Sequence, residues 1–293
     1  MPELAKIKIM TDSASDISVA DEQQYGIGMI PFLVTLGDKT YTSRVDFDND
    51  QFYDMMAQVD EIPKTAQITA FQFQEIYKEQ AQAGVTDLIL VLINAEGSST
   101  YANSVRAIDM FYEEYPQYRD TMRIHSFDGI GYNAMYGAPV VKAAKMAAEG
   151  ADAEKIVQYL TDILPKRQIF FGIYNLKYAA KSGRIPSAAA FIGDKLGLKP
   201  IMDISDNKIA TAAKCRGERN LIEKIAQMSI EAMEPGCPYQ VIYGNDTSCL
   251  EALRSLMIEK LGYEPDGAYQ IGAAVAANAG PRVAGVAFNR KAK

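Results

Sequence analysis

The chain of 293 residues contains no tryptophan, a single histidine and three cysteines. Metal centres and proton relays draw most of their ligands and bases from His and Cys, so zinc chemistry and His-driven catalysis have little to be built from. Cys215, Cys237 and Cys249 are odd in number and match no zinc or redox spacing. They read as free thiols in a reducing compartment, which excludes a disulfide scaffold. Positive charge is also in deficit: 30 Lys and Arg stand against 37 Asp and Glu, a net charge of −7. A nucleic-acid binder normally carries a basic stripe, so no nucleic-acid partner is expected. Long apolar runs are missing too. No segment reaches a membrane-spanning length, and Met1 to Met10 alternates Lys with apolar residues where a signal peptide would be continuously apolar. The expectation is a cytoplasmic protein without stable membrane insertion. Neither a Walker-A sequence nor a G-x-S-x-G elbow occurs, which removes the main support for ATP hydrolysis and α/β-hydrolase chemistry.

What the chain does have is a competent core. Hydrophobic residues make up 48% and charged residues 23%, the balance of a soluble globular protein rather than a disordered or fibrous one. The length favours two domains. Ile7 to Met10 and Ile27 to Leu36 read as strands, and Asp50 to Val59 as a helix. Thr69 is placed to cap a helix over Ala70 to Ala83 that ends at Gly84. Asp87 to Ile93 is apolar without alternation after its first residue, as in a parallel strand covered on both faces. A helix over Thr100 to Tyr115, a strand over Arg123 to Phe127 and helices over Tyr132 to Glu149 and Asp152 to Leu164 continue the β-loop-α rhythm. Around Pro165 the rhythm changes. Gln168 to Tyr174, Ile201 to Ser205, Lys208 to Cys215 and Val241 to Gly244 read as strands, with Ser205-Asp206-Asn207 as a hairpin turn. Helices over Glu218 to Met233 and Cys249 to Leu261 would cover them. The fold expected is α/β: an N-terminal doubly wound parallel-sheet domain over 1–165 and a C-terminal α/β domain with a mixed sheet over 166–293.

Several motifs carry candidate chemistry. Gly129 to Ala134 fits G-x-G-x-x-A between a strand and a helix, yet the next element is another helix and no strand-end acid follows to hold a ribose. It reads as a tight turn before a packed helix. His125, alone inside a short strand, reads as structural rather than as a base. Asp12 and Asp16 in the loop after the first strand have two readings: metal or proton-transfer ligands, or turn formers and helix caps. The most informative set is uncharged: Thr65 and Thr69 before one helix, and Ser98, Ser99 and Thr100 after the Asp87 strand. Hydroxyls with backbone N–H groups at helix N-termini form a receptor for a carboxylate or phosphate, at the strand ends where open α/β sheets bind ligands. Arg184, after Gly183, is placed to add a cation or to sit solvated on the surface. Asn278 to Arg282 puts an amide and a second Arg in one turn.

Taken in order, these motifs resemble the DegV family of bacterial fatty-acid-binding proteins over essentially the whole chain. Thr11 to Asp16 matches the family's Thr-Asp-Ser-x-Ser-Asp loop, Thr65-Ala66-Gln67-Ile68-Thr69 looks like its Thr-Ser-Gln-Pro-Ser motif, and Ser98 to Tyr101 resembles Ser-Gly-Thr-Tyr. Asn175 to Ile185 resembles the Leu-x-Tyr-Leu-x-x-Gly-Gly-Arg-Ile segment. The resemblance implies a long-chain fatty acid between two domains, its carboxylate held by Thr65 and Ser98 with Arg184 beside them. It implies no cofactor, metal or catalytic residue in this chain, and an ATP-dependent fatty-acid kinase as the separate partner that makes the acyl phosphate. One departure stands out. Where the family commonly has His-Thr-Gly-Pro-Gly, this chain has Asn278-Ala279-Gly280-Pro281-Arg282, so the head-group His is absent and Arg282 is expected to replace it in part. The rival function is a small phosphotransferase or hydrolase acting on an anionic metabolite, with Asp12 or Asp16 holding a metal.

Overall fold

The strand over Asp87–Leu92 is buried at every position, as its unbroken apolar run requires, and the first sheet assembles around it. The structure is a computed structural model and describes residues 6–185 and 198–292; the first five residues of the N-terminal Lys–apolar stretch lie outside that range. Along the first half run β1 (Ile7–Asp12), α1 (Val19–Tyr25), β2 (Gly28–Ile30), β3 (Leu33–Leu36), β4 (Lys39–Thr42), α2 (Asn49–Ala57), β5 (Lys64–Ala66), α3 (Ala70–Gln82), β6 (Asp87–Leu92), α4 (Thr100–Glu114), β7 (Arg123–Asp128), α5 (Ala134–Ala148) and α6 (Ala153–Ile163). Four of these strands form a parallel sheet in the order β2-β1-β6-β7. Its core of Ile, Leu, Val and Phe, with Leu88 to Leu92 fully excluded from solvent, is stabilised by roughly 1.5–3 kcal/mol for each large side chain buried.

The expected single strand over Ile27–Leu36 is two strands in two sheets. Pro31 lies between them and has no N–H to give a ladder. The chain turns there, Phe32 N donates to Ser13 Oγ at 3.0 Å, and β3 leaves to pair antiparallel with β4 and β5 in a small three-stranded sheet.

The second half holds β8 (Arg167–Ile173), α7 (Leu176–Ser182), β9 (Leu198–Ser205), β10 (Lys208–Arg216), α8 (Glu218–Ala232), β11 (Tyr239–Tyr243), α9 (Thr247–Leu261), β12 (Gly267–Gln270), α10 (Ala273–Ala279) and β13 (Val283–Asn289). Its six strands run β10-β9-β8-β13-β11-β12, antiparallel except for the β11–β12 pair. The mixed sheet expected after Pro165 is therefore present, and the fold is α/β with a parallel and a mixed sheet. Strand alternation decides what each face covers. Phe170 packs with Leu221 and Ile225 of α8 and Leu253 and Met257 of α9. Ile169, Phe171 and Ile173 face the other way, toward Phe52 and Met56 of α2 and Ala276 of α10.

One buried cation ties the halves together. Pro139 lies inside α5 and has no N–H for the carbonyl one turn earlier, that of Met135. Arg167 supplies the missing donor from β8: its Nε gives to Met135 O at 3.1 Å and its Nη2 to Ala134 O at 3.1 Å. Nη1 reaches Asn289 Oδ1 at 3.0 Å, and Gln240 Oε1 accepts from Nη2. Burial lowers the Arg167 pKa to about 10, so the guanidinium stays charged and hydrogen-bonded inside.

Candidate functional site

Two loops leave the C-terminal edge of the parallel sheet side by side, one after β1 and one after β6. In the first, Asp12 caps a short turn over Ser13–Ser15 by accepting from Ala14 N at 3.0 Å. Its carboxylate also accepts from Ile93 N at 2.7 Å and from Tyr136 Oη at 2.6 Å. Asp16 accepts from Asn133 Nδ2 at 2.7 Å and from Gly272 N at 2.9 Å. Burial raises Asp12 to about 6 and Asp16 to about 8, against which their hydrogen bonds work. A Cβ on Gly272 would come within 2.5 Å of Asp16 Oδ1, so this contact needs glycine. These carboxylates are enclosed and already bonded to protein donors. Of their two sequence readings, the turn-and-cap role is the one with geometry behind it. No cluster of three His, Cys, Asp or Glu suited to a metal occurs among the described residues.

The second loop is open. Asn94 Oδ1 accepts from Glu96 N at 2.8 Å and Gly97 N at 3.0 Å, which fixes an Asx-type turn and lifts Ser98 to the start of α4. Thr100 Oγ1 accepts from Ile68 N at 3.2 Å and lies 2.9 Å from Ser98 Oγ. Thr100 N also donates to Ser98 Oγ at 3.3 Å. With Thr100 donating to it, Ser98 has its own O–H left to give to an anion. Thr65 sits half-buried on β5, opposite Val34. Thr69 is instead used by α3, closing a reciprocal capping box with Gln72.

These hydroxyls border a cavity of about 1120 Å³ between the two halves, a little above the usual range for small-ligand sites. Thr65, Ser98, Arg184 and Asn278 all line it, brought from β5, the β6–α4 loop, the end of α7 and α10. Its floor is the inner face of the mixed sheet, including Ile169, Phe171, Ile204, Ile242 and Val283. Asn278 is on a helix, where its Nδ2 donates to Ala274 O at 2.9 Å, rather than in the turn read from sequence. Arg184 follows the left-handed Gly183 that ends α7, is exposed, and donates from Nη1 to Ser182 O at 2.8 Å. It lies near enough to Tyr132 to oppose the burial that raises that phenol to about 12.

Arg282 is a correction to the sequence reading. It does not line the cavity. Its Nε donates to Asp246 Oδ2 at 2.7 Å and its Nη1 and Nη2 to the two Glu218 oxygens at 2.7 and 2.8 Å, while the guanidinium lies 4.3 Å from the Tyr174 ring centre. A cation bound to two carboxylates is already neutralised and is no substitute for the absent His. Sequence reasoning also missed Tyr132, Asn94 and Gln67 as lining residues. Gly97 was the available signal for Tyr132, since a Cβ there would meet Tyr132 Oη at 2.0 Å. The Gly129 to Ala134 fingerprint is bound internally, with Gly129 N donating to Leu92 O at 2.7 Å and Asn133 N to Ala14 O at 2.9 Å. His125 lies on β7, 3.8 Å from the buried Asp87, where Arg123 also pairs at 2.8 Å.

A second cleft of about 1230 Å³ opens on the Asp16 side. Its lining mixes the carboxylates Asp46, Asp48, Asp50 and Asp266 with Lys142 and Lys145, which gives an acyl chain no continuous apolar wall. Size therefore does not choose the site; the lining does.

Comparison with known proteins places the molecule. A family model described as "Uncharacterised protein, DegV family" matches residues 6–291. A DegV domain-containing protein of Caldanaerobacter subterraneus subsp. tengcongensis is 27% identical over 292 residues, covering 98% of this chain and all of its own. Among solved structures, a stearic acid-binding protein from Eubacterium ventriosum superposes with a TM-score of 0.86 at 23% identity, over 98% of each chain. A DegV family protein from Thermus thermophilus, described for its fatty-acid binding, gives a TM-score of 0.84 at 23% identity, over 97% of this chain and 99% of its own.

Proposed function

The chain belongs to the DegV family, and on that footing we propose that it binds a long-chain fatty acid in the cavity between its halves. Thr65 and Ser98 hold the carboxylate, with Arg184 and Asn278 beside it, and the acyl chain runs along the apolar face of the mixed sheet. The observation that carries this reading is the lining itself: hydroxyls and an Arg border one part of a cavity whose floor is Ile169, Phe171, Ile204 and Ile242. Hydrogen bonds to a charged group are worth about 1.5–3 kcal/mol each, and a buried acyl chain adds about 0.8 kcal/mol per methylene. The chain therefore supplies most of the affinity and the hydroxyls fix the orientation.

Two further parts of the proposal concern use and organisation. The protein is a cytoplasmic carrier without catalytic residues or cofactor, and it presents the bound acid to a separate ATP-dependent fatty-acid kinase for acyl-phosphate formation. Residues 1–165 and 166–293 are its two domains, meeting around the ligand. Support for the carrier role comes from the engaged carboxylates of Asp12 and Asp16, which leave the phosphotransferase rival without its metal ligands.

Mass spectrometry of protein purified from cells and denatured gently should release an acyl chain. Failure to find one, followed by failure to load octadecanoic acid in vitro, would refute the binding reading. With a fatty-acid kinase and ATP, the loaded protein should yield acyl phosphate; binding without product would confine the role to storage or sensing.

A further inference from the structure

The cavity has a second polar feature, far from the hydroxyls. The β9–β10 hairpin turns through Asp206 and Asn207, whose φ angles are 51° and 63°, the double left-handed geometry of a type I′ turn. Arg290 Nη1 donates to Asp206 Oδ2 at 2.8 Å and ties the turn to the end of β13. Asn207 lines the cavity. Its Oδ1 is buried and has no hydrogen-bond partner among the described residues, while the lining around it alternates apolar Ile204 and Ile209 with the exposed charges of Asp206 and Lys208. A buried polar atom left unpaired is costly and rare in native structures, so this one calls for a ligand group.

Strand register locates it. Ile204 pairs with Ile169 at the start of β8, and Ser205 with Lys208 closes the hairpin beside that end. Asn278 precedes Val283, which pairs with Ile173 at the other end of β8. Four residues of strand separate those two levels, roughly 13 Å. A ligand anchored by its carboxylate near Asn278 would therefore meet Asn207 well down its chain.

We propose that this cavity accepts an acyl chain carrying a hydroxyl toward its distal end, and that the side-chain amide of Asn207, whose Oδ1 is enclosed as it stands, turns to hydrogen-bond it. The inference rests on the fatty-acid reading above and adds the substrate class. A hydroxyl both donates and accepts, so it satisfies either end of the amide. Asp206, paired with Arg290, and Lys208 flank it with charges of opposite sign, so the group left without a partner is the neutral amide. In a wholly apolar cavity end the hydroxyl would be stripped of water without return, and the unsubstituted chain would bind better. A site built to bond a hydroxyl does the reverse.

The test is calorimetric titration of delipidated protein with hexadecanoic and octadecanoic acids and with their terminally hydroxylated counterparts, for the wild type and Asn207→Gly. Glycine suits a φ of 63°, so the variant keeps the turn while losing the amide, and an unchanged melting temperature verifies this. Wild-type protein should bind a hydroxylated chain at least as tightly as its parent. Asn207→Gly should weaken the hydroxylated chain by about tenfold and leave the parent unchanged or tighter. Wild-type preference for the parent in both pairs, or an equal loss for both ligands in Asn207→Gly, would overturn the proposal. Binding of the parent chains with the hydroxylated chains held more weakly sinks this inference alone; binding of neither chain sinks the carrier reading and this one with it.

Discussion

The loops after β1 and β6 leave neighbouring parallel strands at the same edge of one sheet, and they commit their polar groups in opposite ways. The first is rich in carboxylates, and the oxygens of Asp12 and Asp16 that face the interior are taken up by Ala14, Ile93, Tyr136, Asn133 and Gly272. The second carries one carboxylate, Glu96, among hydroxyls and an amide, and it leaves Ser98 on the wall of a cavity. Acidic residues at a strand end are thus no guide to chemistry when folding has already used their lone pairs. Availability, more than charge, separates the structural loop from the loop proposed to bind.

The comparison can be broken first at Asp16. Asp16→Ala leaves the buried donors of Asn133 and Gly272 unpaired, and unfolding in urea at pH 5 should show a loss of about 2–6 kcal/mol; a loss below 1 kcal/mol would mean that the loop is not holding the halves. A pH series sharpens the same point. Burial raises Asp16 from 3.8 to about 8, so the folded state binds the proton more tightly than the unfolded chain. Its contribution is full below about pH 4 and is lost as the pH rises toward 8. Between pH 5 and 8 the wild type should therefore lose on the order of 3 kcal/mol that Asp16→Asn does not lose, and parallel pH profiles would contradict this.

The second loop should respond in the other currency. Ser98→Ala and Thr65→Ala are expected to weaken fatty-acid binding by about 1–3 kcal/mol each while moving the melting temperature little; loss of stability without loss of affinity would reverse the assignment. The smallest effect is expected at Arg282. Because Glu218 and Asp246 already hold it, Arg282→Ala should leave ligand affinity within about twofold and cost under 1 kcal/mol of stability, as for other partly exposed pairs. A tenfold loss of affinity in titration would restore the sequence expectation for that residue.

Much of this division could be read from the chain before any coordinates, because its signals are local. The buried run over Asp87–Leu92, the Thr69 cap and the Asp206-Asn207 turn each depend on a few consecutive residues. Ser98 was legible as a hydroxyl next to a helix start, whereas Thr65, read as standing before a helix, lies on β5. What stayed hidden depends on distant partners. Arg282 looked free because Glu218 and Asp246 lie 64 and 36 residues away. Asp16 kept two readings because its partner Gly272 is 256 residues downstream. The split at Pro31 was locally visible, but the small sheet that β3 joins includes β5, more than twenty residues on, and no period announces such a pairing.

Pro139 and Arg167 carry a consequence for how the molecule comes to be. Helix α5 has a gap in its own ladder that only a side chain from beyond residue 165 can fill. The first half, synthesised first, therefore waits with an incomplete helix until β8 and the strands that position Arg167 have emerged. A chain stopped at residue 165 should hold a weakened α5, and adding only the next strand should not cure it, since Arg167 is itself positioned by Gln240 and Asn289. As folding units the two halves are interdependent, and the protein should unfold as one cooperative body.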